Sequence, residues 1–200
     1  MPADHRANPW VTLSSETRHE DRYVRLDVDR VRHRSGVEHP YTAIRFKIFG
    51  LTVLPIDDTG CTFLVGQYRY LLDRYHWELP RGSGAIDVPP IETAKRELAE
   101  ETGHSAAHWL ELPRLLASPG ITSEWAPCYV AWGLNPIQAE TDPQESLSLR
   151  RVPFGDAVGA VLAGEVVDAA SAALLLGTAE RARRGLLPQD LVALLRVGGL

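Results

Sequence analysis

The stretch from Gly82 to Gly103, GSGAIDVPPIETAKRELAEETG, constrains this chain more than any other. Within it, Glu97, Glu100 and Glu101 stand at i, i+3 and i+4, which on a helix is one face. Pro89-Pro90 halts any preceding strand, and Pro90 suits a first helical position. Gly103 stands where a left-handed residue ends a helix. Upstream, Trp77-Glu78-Leu79-Pro80 leads into Gly82-Ser83-Gly84. The predicted order is therefore strand, glycine loop, acidic helix over about Ile91 to Thr102, glycine stop.

Two readings of the acidic helix compete. Like charges at helical spacing cost about 0.2–0.5 kcal/mol per pair. A solvated surface helix tolerates that, and Glu92/Arg96 and Arg96/Glu100 are ordinary i,i+4 pairs. A dication would instead reverse the sign of the repulsion. Clustered carboxylate oxygens on a rigid element suit the hard ions Mg2+ or Mn2+.

Composition narrows the class. The 200 residues fit one domain with a small N-terminal extension, and a hydrophobic content of 44% supports a packed core. A net charge of -5 argues against a broad nucleic-acid-binding surface but leaves room for a local phosphate pocket. Cys61 and Cys128 have no metal-ligand spacing and read as buried apolar residues. No apolar run is long enough to span a membrane, and Met1 to Trp10 has no signal-peptide core, so a cytoplasmic protein is expected. Ser118 lacks a G-x-S-x-G setting, which argues against a serine hydrolase.

Along the chain, the first ten residues read as loose. Tyr23 to Val31 alternates Val24, Leu26 and Val28 with Arg25, Asp27 and Asp29, a strand pattern. A turn at Arg34-Ser35-Gly36 leads to a second strand near Tyr41 to Phe49. Residues 51–70 read as a hairpin turning at Asp57-Asp58-Thr59-Gly60. Further strands are expected at Trp109 to Leu116, Cys128 to Leu134 and Leu147 to Val152. Helices are expected at Phe154 to Ala163, Asp168 to Arg183 and Gln189 to Val197. Strands and helices mix without regular alternation, which argues α+β.

The acidic stretch resembles the Nudix box, G-x5-E-x7-R-E-U-x-E-E-x-G-U, with U a bulky aliphatic residue. Gly82, Arg96, Glu97, Leu98, Glu100, Glu101 and Gly103 match in register, while Val88 replaces the first glutamate and His104 the last aliphatic residue. The resemblance implies a Nudix fold, a mixed β-sheet sandwiched between α-helices. Here it would comprise residues 50–200, preceded by an N-terminal antiparallel strand extension, 1–49, that serves dimerisation.

Other segments are similar to the ADP-ribose pyrophosphatase subfamily: Gln67-Tyr68-Arg69, Trp77-Glu78-Leu79-Pro80, Ser118-Pro119-Gly120 with Glu124, and Gly164 to Ala169. The resemblance implies Mg2+- or Mn2+-dependent cleavage of ADP-ribose, or a related nucleoside diphosphate sugar, to a nucleoside monophosphate and a sugar phosphate. It also implies a homodimer. Glu97, Glu100 and Glu101 would hold the metal, with the Arg81 carbonyl; the Arg81 side chain reads as a solvated loop cation. Arg96 belongs to the catalytic motif. The general base falls on a late loop, 135–146, where Glu145 fits best beside Glu140 and Asp142; Glu100 or Glu97 is the alternative. Arg69, Trp77, Glu78, Pro119 and Glu124 are the candidate substrate contacts. Two further readings stay open: another nucleotide sugar such as GDP-mannose, and a catalytically weakened nucleotide-binding sensor.

Overall fold

The computed structural model describes residues 7–138 and 147–200. The chain forms two compact units, Met1–Ile48 with Ser118–Glu124, and Phe49–Ala117 with Trp125–Leu200.

In the first unit β1 (Trp10–Glu20), β2 (Val24–His33) and β3 (Glu38–Phe46) form an antiparallel sheet in that order. Arg34 to Gly36 turns as expected, the Gly36 N–H donating to the His33 carbonyl at 2.9 Å. The expected strand from Tyr41 to Phe49 is two strands, β3 and then β4 (Ile48–Ile56). The stretch expected to be loose runs into β1. Register slips between Thr12 and Ser14 and between Thr17 and His19 break its period of two, so no alternation marks it in the sequence.

The polar face of β2 is the better covered one. Asp27 and Asp29 are only 1% and 5% exposed, whereas Val24, Leu26 and Val28 are half-buried. Arg45 donates to Asp27 at 2.7 Å and to Asp29 at 2.6 Å, and Arg25 to Asp27 at 3.0 Å. The two arginine side chains are themselves 42–43% exposed, so they form a lid over the carboxylates. Ser118–Glu124 joins this unit through Ile121 and Ser123, whose carbonyl and N–H meet the Ile44 N–H and carbonyl at 2.8 and 2.9 Å.

The second unit holds two sheets. One has the order β7-β4-β9-β8, with β7 (Arg81–Ala85), β8 (His104–Leu116) and β9 (Trp125–Pro136). It is mixed: β4 runs parallel to β9, and β8 antiparallel to it. The other has the order β10-β5-β6, with β5 (Cys61–Arg69), β6 (Arg74–Glu78) and β10 (Ser148–Pro153). The helices are α1 (Pro90–Thr102), α2 (Phe154–Leu162), α3 (Ala169–Arg183) and α4 (Gln189–Val197).

Two expectations need correction. Residues 51–70 are not a hairpin, because β4 and β5 lie in different sheets on either side of the turn at Asp57. Leu51 to Ile56 and Cys61 to Gly66 are buried without alternation, the signature of strands covered on both faces. The glycine segment Gly82-Ser83-Gly84 is not a loop but lies in β7, at the edge of the mixed sheet.

Alternation along the central strands builds two cores. Phe49, Leu51 and Val53 of β4, with Tyr129 and Ala131 of β9, face Ala94 and Leu98 of α1. Leu54 and Ile56, with Cys128, Val130 and Trp132, face the cluster of Phe154, Leu175 and Leu191 from α2, α3 and α4. The mixed sheet is thus sandwiched, with α1 the helix on one face among the described residues. The α1 boundaries follow its sequence signals: Pro90 at the start and Gly103, at φ 69°, closing the end with its N–H on the Ala99 carbonyl.

Candidate active site

The packed stripe of α1 is chemically mixed. Ala94, Glu97, Leu98 and Glu101 stand at i, i+3, i+4 and i+7, and all four are buried. Ala94 and Leu98 are fully covered, while Glu97 and Glu101 are 8% and 9% exposed. Burying Leu98 contributes about 1.5–3 kcal/mol. A buried carboxylate costs several kcal/mol unless partnered, so two of them on a packing face serve something other than stability.

Their partners are close. The Arg96 guanidinium donates to Glu97 at 2.5 Å and to Glu100 at 2.6 Å, and reaches the Ser83 carbonyl at 3.3 Å. Burial pulls the Arg96 pKa down, but the charges of Glu97 and Glu100 outweigh it and hold it above its ordinary value. The main-chain N–H of Arg81 donates to Glu101 at 2.9 Å. Gly82 completes the cradle: a Cβ there would stand 1.9 Å from the Glu97 carboxylate. Glycine at this position leaves the Glu97 carboxylate room to lie against β7.

A second charged network adjoins the first. Glu78, at the end of β6, is 3% exposed. Arg69 forks onto it at 3.0 and 2.5 Å. That hydrogen bonding raises the Arg69 pKa against its desolvation, and Asp168 and Glu101 add to the rise. The Arg81 side chain is not a solvated loop cation. It donates to Asp168 at 2.6 Å and reaches Glu78 at 3.5 Å. Asp168 caps α3, accepting from the Ser171 N–H and hydroxyl, each at 2.8 Å. The Ser171 oxygen in turn accepts the Leu79 N–H at 2.9 Å. Asp168 and Ser171 are not among the expected site residues, although an aspartate just before an apolar helical run is an N-cap signal.

Other expected residues fall elsewhere. Trp77, one residue before Glu78, sits on the opposite face of β6, its ring under the Arg150 guanidinium at 4.1 Å and edge-on to Tyr75. It borders a cavity of about 140 Å³ lined also by Leu64, Val152, Asp156 and Val166, and so stands apart from the carboxylates. Pro119 and Glu124 lie in the first unit. Pro119 is in a turn where Ile121 and Thr122 donate to the Ser118 carbonyl at 3.1 and 2.9 Å. Val88 lies in the turn before α1, 38% exposed, its N–H on the Ala85 carbonyl at 3.0 Å. Glu140, Asp142 and Glu145 lie outside the described residues.

The donor set decides what could bind. Among the described residues no three carboxylate, imidazole or thiol groups are gathered into a ready cage; Arg96 is the cation between Glu97 and Glu100. The carboxylates are hard oxygen donors on a rigid helix, and the Gly82 cradle leaves no side chain before Glu97. These residues fit Mg2+ or Mn2+ by chemistry. A mixed sheet between helices, with an acidic helix held against a glycine strand, defines the Nudix class of hydrolase.

Comparison with known proteins narrows the class. No family model matches the chain. The chain is 35% identical over 178 residues to an ADP-ribose pyrophosphatase of Mycobacterium tuberculosis, covering 82% of this chain and 81% of that protein. It is 31% identical over 151 residues to an ADP-ribose pyrophosphatase of Bacillus subtilis, covering 74% of this chain and 77% of that protein. A crystal structure of an ADP compounds hydrolase superposes with a TM-score of 0.80 at 23% identity, over 89% of this chain and 96% of that one, a likeness of fold. The chain belongs to the ADP-ribose pyrophosphatase-like branch of the Nudix hydrolases. It is a pyrophosphatase by class.

Proposed function

We propose that this enzyme hydrolyses the diphosphate linkage of ADP-ribose, releasing a nucleoside monophosphate and a sugar phosphate. The observation that carries the reading is the pair of buried carboxylates, Glu97 and Glu101, at 8% and 9% exposure on the packed face of α1. The names of the relatives point to the substrate.

Glu97, Glu100 and Glu101, with the Arg81 carbonyl, would hold Mg2+ or Mn2+, which when bound neutralises the diphosphate and acidifies water. The chain's own residues supply the rest. Arg96 orients Glu97 and Glu100 through its two hydrogen bonds. Arg69, fixed by Glu78, presents positive charge near Glu101, where an anionic substrate gains from it. Glu145 takes the proton from the attacking water as the oxygen–phosphorus bond forms and the second phosphate leaves. Pro119 and Glu124 contact the substrate, as the subfamily resemblance implies. Trp77 is the weakest of the substrate assignments, since Arg150 covers its ring.

Two further elements belong to this reading. The enzyme works as a homodimer in the cytoplasm. Val11 and Leu13 of β1, two residues apart on the strand, are 61% and 38% exposed, an apolar pair that a second copy would cover. No described helix is long and apolar enough to cross a membrane.

The test is a substrate panel of ADP-ribose, ADP-glucose, GDP-mannose and a dinucleoside polyphosphate with Mg2+ or Mn2+, products resolved by phosphorus NMR. AMP and ribose 5-phosphate from ADP-ribose are expected. Binding without turnover would place the chain among nucleotide sensors, and preference for GDP-mannose would move the substrate.

A further inference from the structure

We infer that Asp168 is a positioning residue for the carboxylate site, acting through Arg81 on Glu101. The inference rests on the carboxylate reading above and adds a residue that lies outside the acidic helix.

The segment Glu78-Leu79-Pro80-Arg81 leaves one sheet and enters the other, so its path is set by what holds it. Each end is tied to a different element. Glu78 is gripped by Arg69 of β5. The Leu79 N–H donates to Ser171 Oγ, and the hydroxyl proton of Ser171 goes to Asp168 Oδ2. The Pro80 carbonyl accepts the Val53 N–H at 2.8 Å. The Arg81 guanidinium donates to Asp168 Oδ1 at 2.6 Å. The Arg81 N–H then holds Glu101 Oε2 at 2.9 Å.

Asp168 therefore acts from both its oxygens. Oδ2 caps α3 and anchors Ser171, which is fully buried, while Oδ1 holds Arg81. The N-terminus of α3 fixes the peptide that aims Glu101, although α3 and α1 pack on opposite sides of the mixed sheet. Partners behind a metal-binding carboxylate commonly matter about 10–100-fold in affinity. The Asp168 pair with Arg81 is charge-assisted, and its aspartate side chain is 16% exposed, so solvent screens it little.

The experiment is a double-mutant cycle read by Mn2+ binding, followed by electron paramagnetic resonance of the free ion, without substrate. The variants are Asp168→Asn, Arg81→Gln and the double variant, with Glu101→Gln as reference. Asparagine still caps a helix, so the ion-free melting temperature of Asp168→Asn should stay close to wild type. Glutamine at 81 keeps the main-chain N–H and removes only the guanidinium. Each single variant should raise the Mn2+ Kd about tenfold or more, and the double variant should be no weaker than the worse single one. Kd values equal to wild type in either single variant, or losses that multiply in the double, would overturn the positioning role. If Asp168→Asn fails to fold, Arg81→Gln decides alone by the same criterion. Wild type and Glu101→Gln binding Mn2+ equally would overturn the carboxylate reading and this inference with it. Wild-type binding lost in Glu101→Gln but kept in Asp168→Asn removes this inference only.

Discussion

Gly82 shows how a single missing methyl group shapes the site. A Cβ there would meet the Glu97 carboxylate at 1.9 Å, and that carboxylate is the flexible end of a side chain. Gly82→Ala should therefore swing Glu97 aside at little cost to folding. The expected result is a fall in Mn2+ affinity of about 10-fold or more with the ion-free melting temperature nearly kept; unchanged affinity would mean Glu97 does not ligate. Glu145, outside the described residues, is the base that the subfamily resemblance implies. Removing a general base costs about 10²–10⁴ in rate, so Glu145→Gln should lower kcat by that factor with KM little changed, and an unaltered kcat would move the base elsewhere. Asp21 gives a pH dependence. The backbone N–H groups of Val24 and Tyr23 hold its carboxyl down from 3.8 to about 2. A depressed folded pKa means the stabilisation is present above the unfolded value and disappears as pH falls through the folded one. The difference in melting temperature between wild type and Asp21→Asn should thus shrink between about pH 4 and 2. A difference that stays constant over that range would rule the titration out. At this level the sequence was most readable where chemistry is local: the three carboxylates of α1 and their arginine are where the motif puts them. The Arg69–Glu78 fork and the Asp168–Arg81 pair join residues distant in sequence, and no spacing rule reveals such pairs.

Among the secondary-structure elements, α1 was the most legible because its start, stop and stripe agree. Proline, glycine and the Glu97/Glu100/Glu101 spacing all give one answer. The strand β7 was not legible, since its RGSGA sequence reads as loop by propensity. Its glycines are there for close approach: a Cβ at Gly84 would lie 2.5 Å from both Phe49 and Thr93. The strands β4 and β5 were found but wrongly paired, because two-sided burial erases the alternation that fixes pairing. A contact between α4 and the β4–β5 turn was likewise invisible. At Gly198 a Cβ would stand 1.9 Å from the Gly60 carbonyl oxygen, and Gly60 itself has φ 75°. Both partners are main chain, so neither can yield as a side chain does. Gly198→Ala should cost about 1–3 kcal/mol. In urea unfolding, a loss below about 0.5 kcal/mol would show that the α4 end can shift freely.

The second unit as a body links these contacts to the ion. Among the described residues its mixed sheet carries α1 on one face and α2, α3 and α4 on the other, and the strand entering at Arg81 ties the two sides together. An ion bound among Glu97, Glu100 and Glu101 would take over part of the charge compensation that Arg96 now gives Glu97 and Glu100. Anything that binds the folded state alone stabilises it by mass action. At an ion concentration 100 times Kd this amounts to about 2.7 kcal/mol. For a chain of 150–250 residues that is a rise of about 5–10 °C in melting temperature. Mn2+ should therefore raise the wild-type midpoint in proportion to the logarithm of its concentration, chelation should return it, and Glu101→Gln should respond weakly. A surface reading of the acidic helix predicts something different: screening of exposed charges by any dication, small and equal in wild type and variant. Equal shifts in the two proteins, scanned by calorimetry over rising Mn2+, would leave the acidic face of α1 as a solvated surface and remove the metal site from the mechanism.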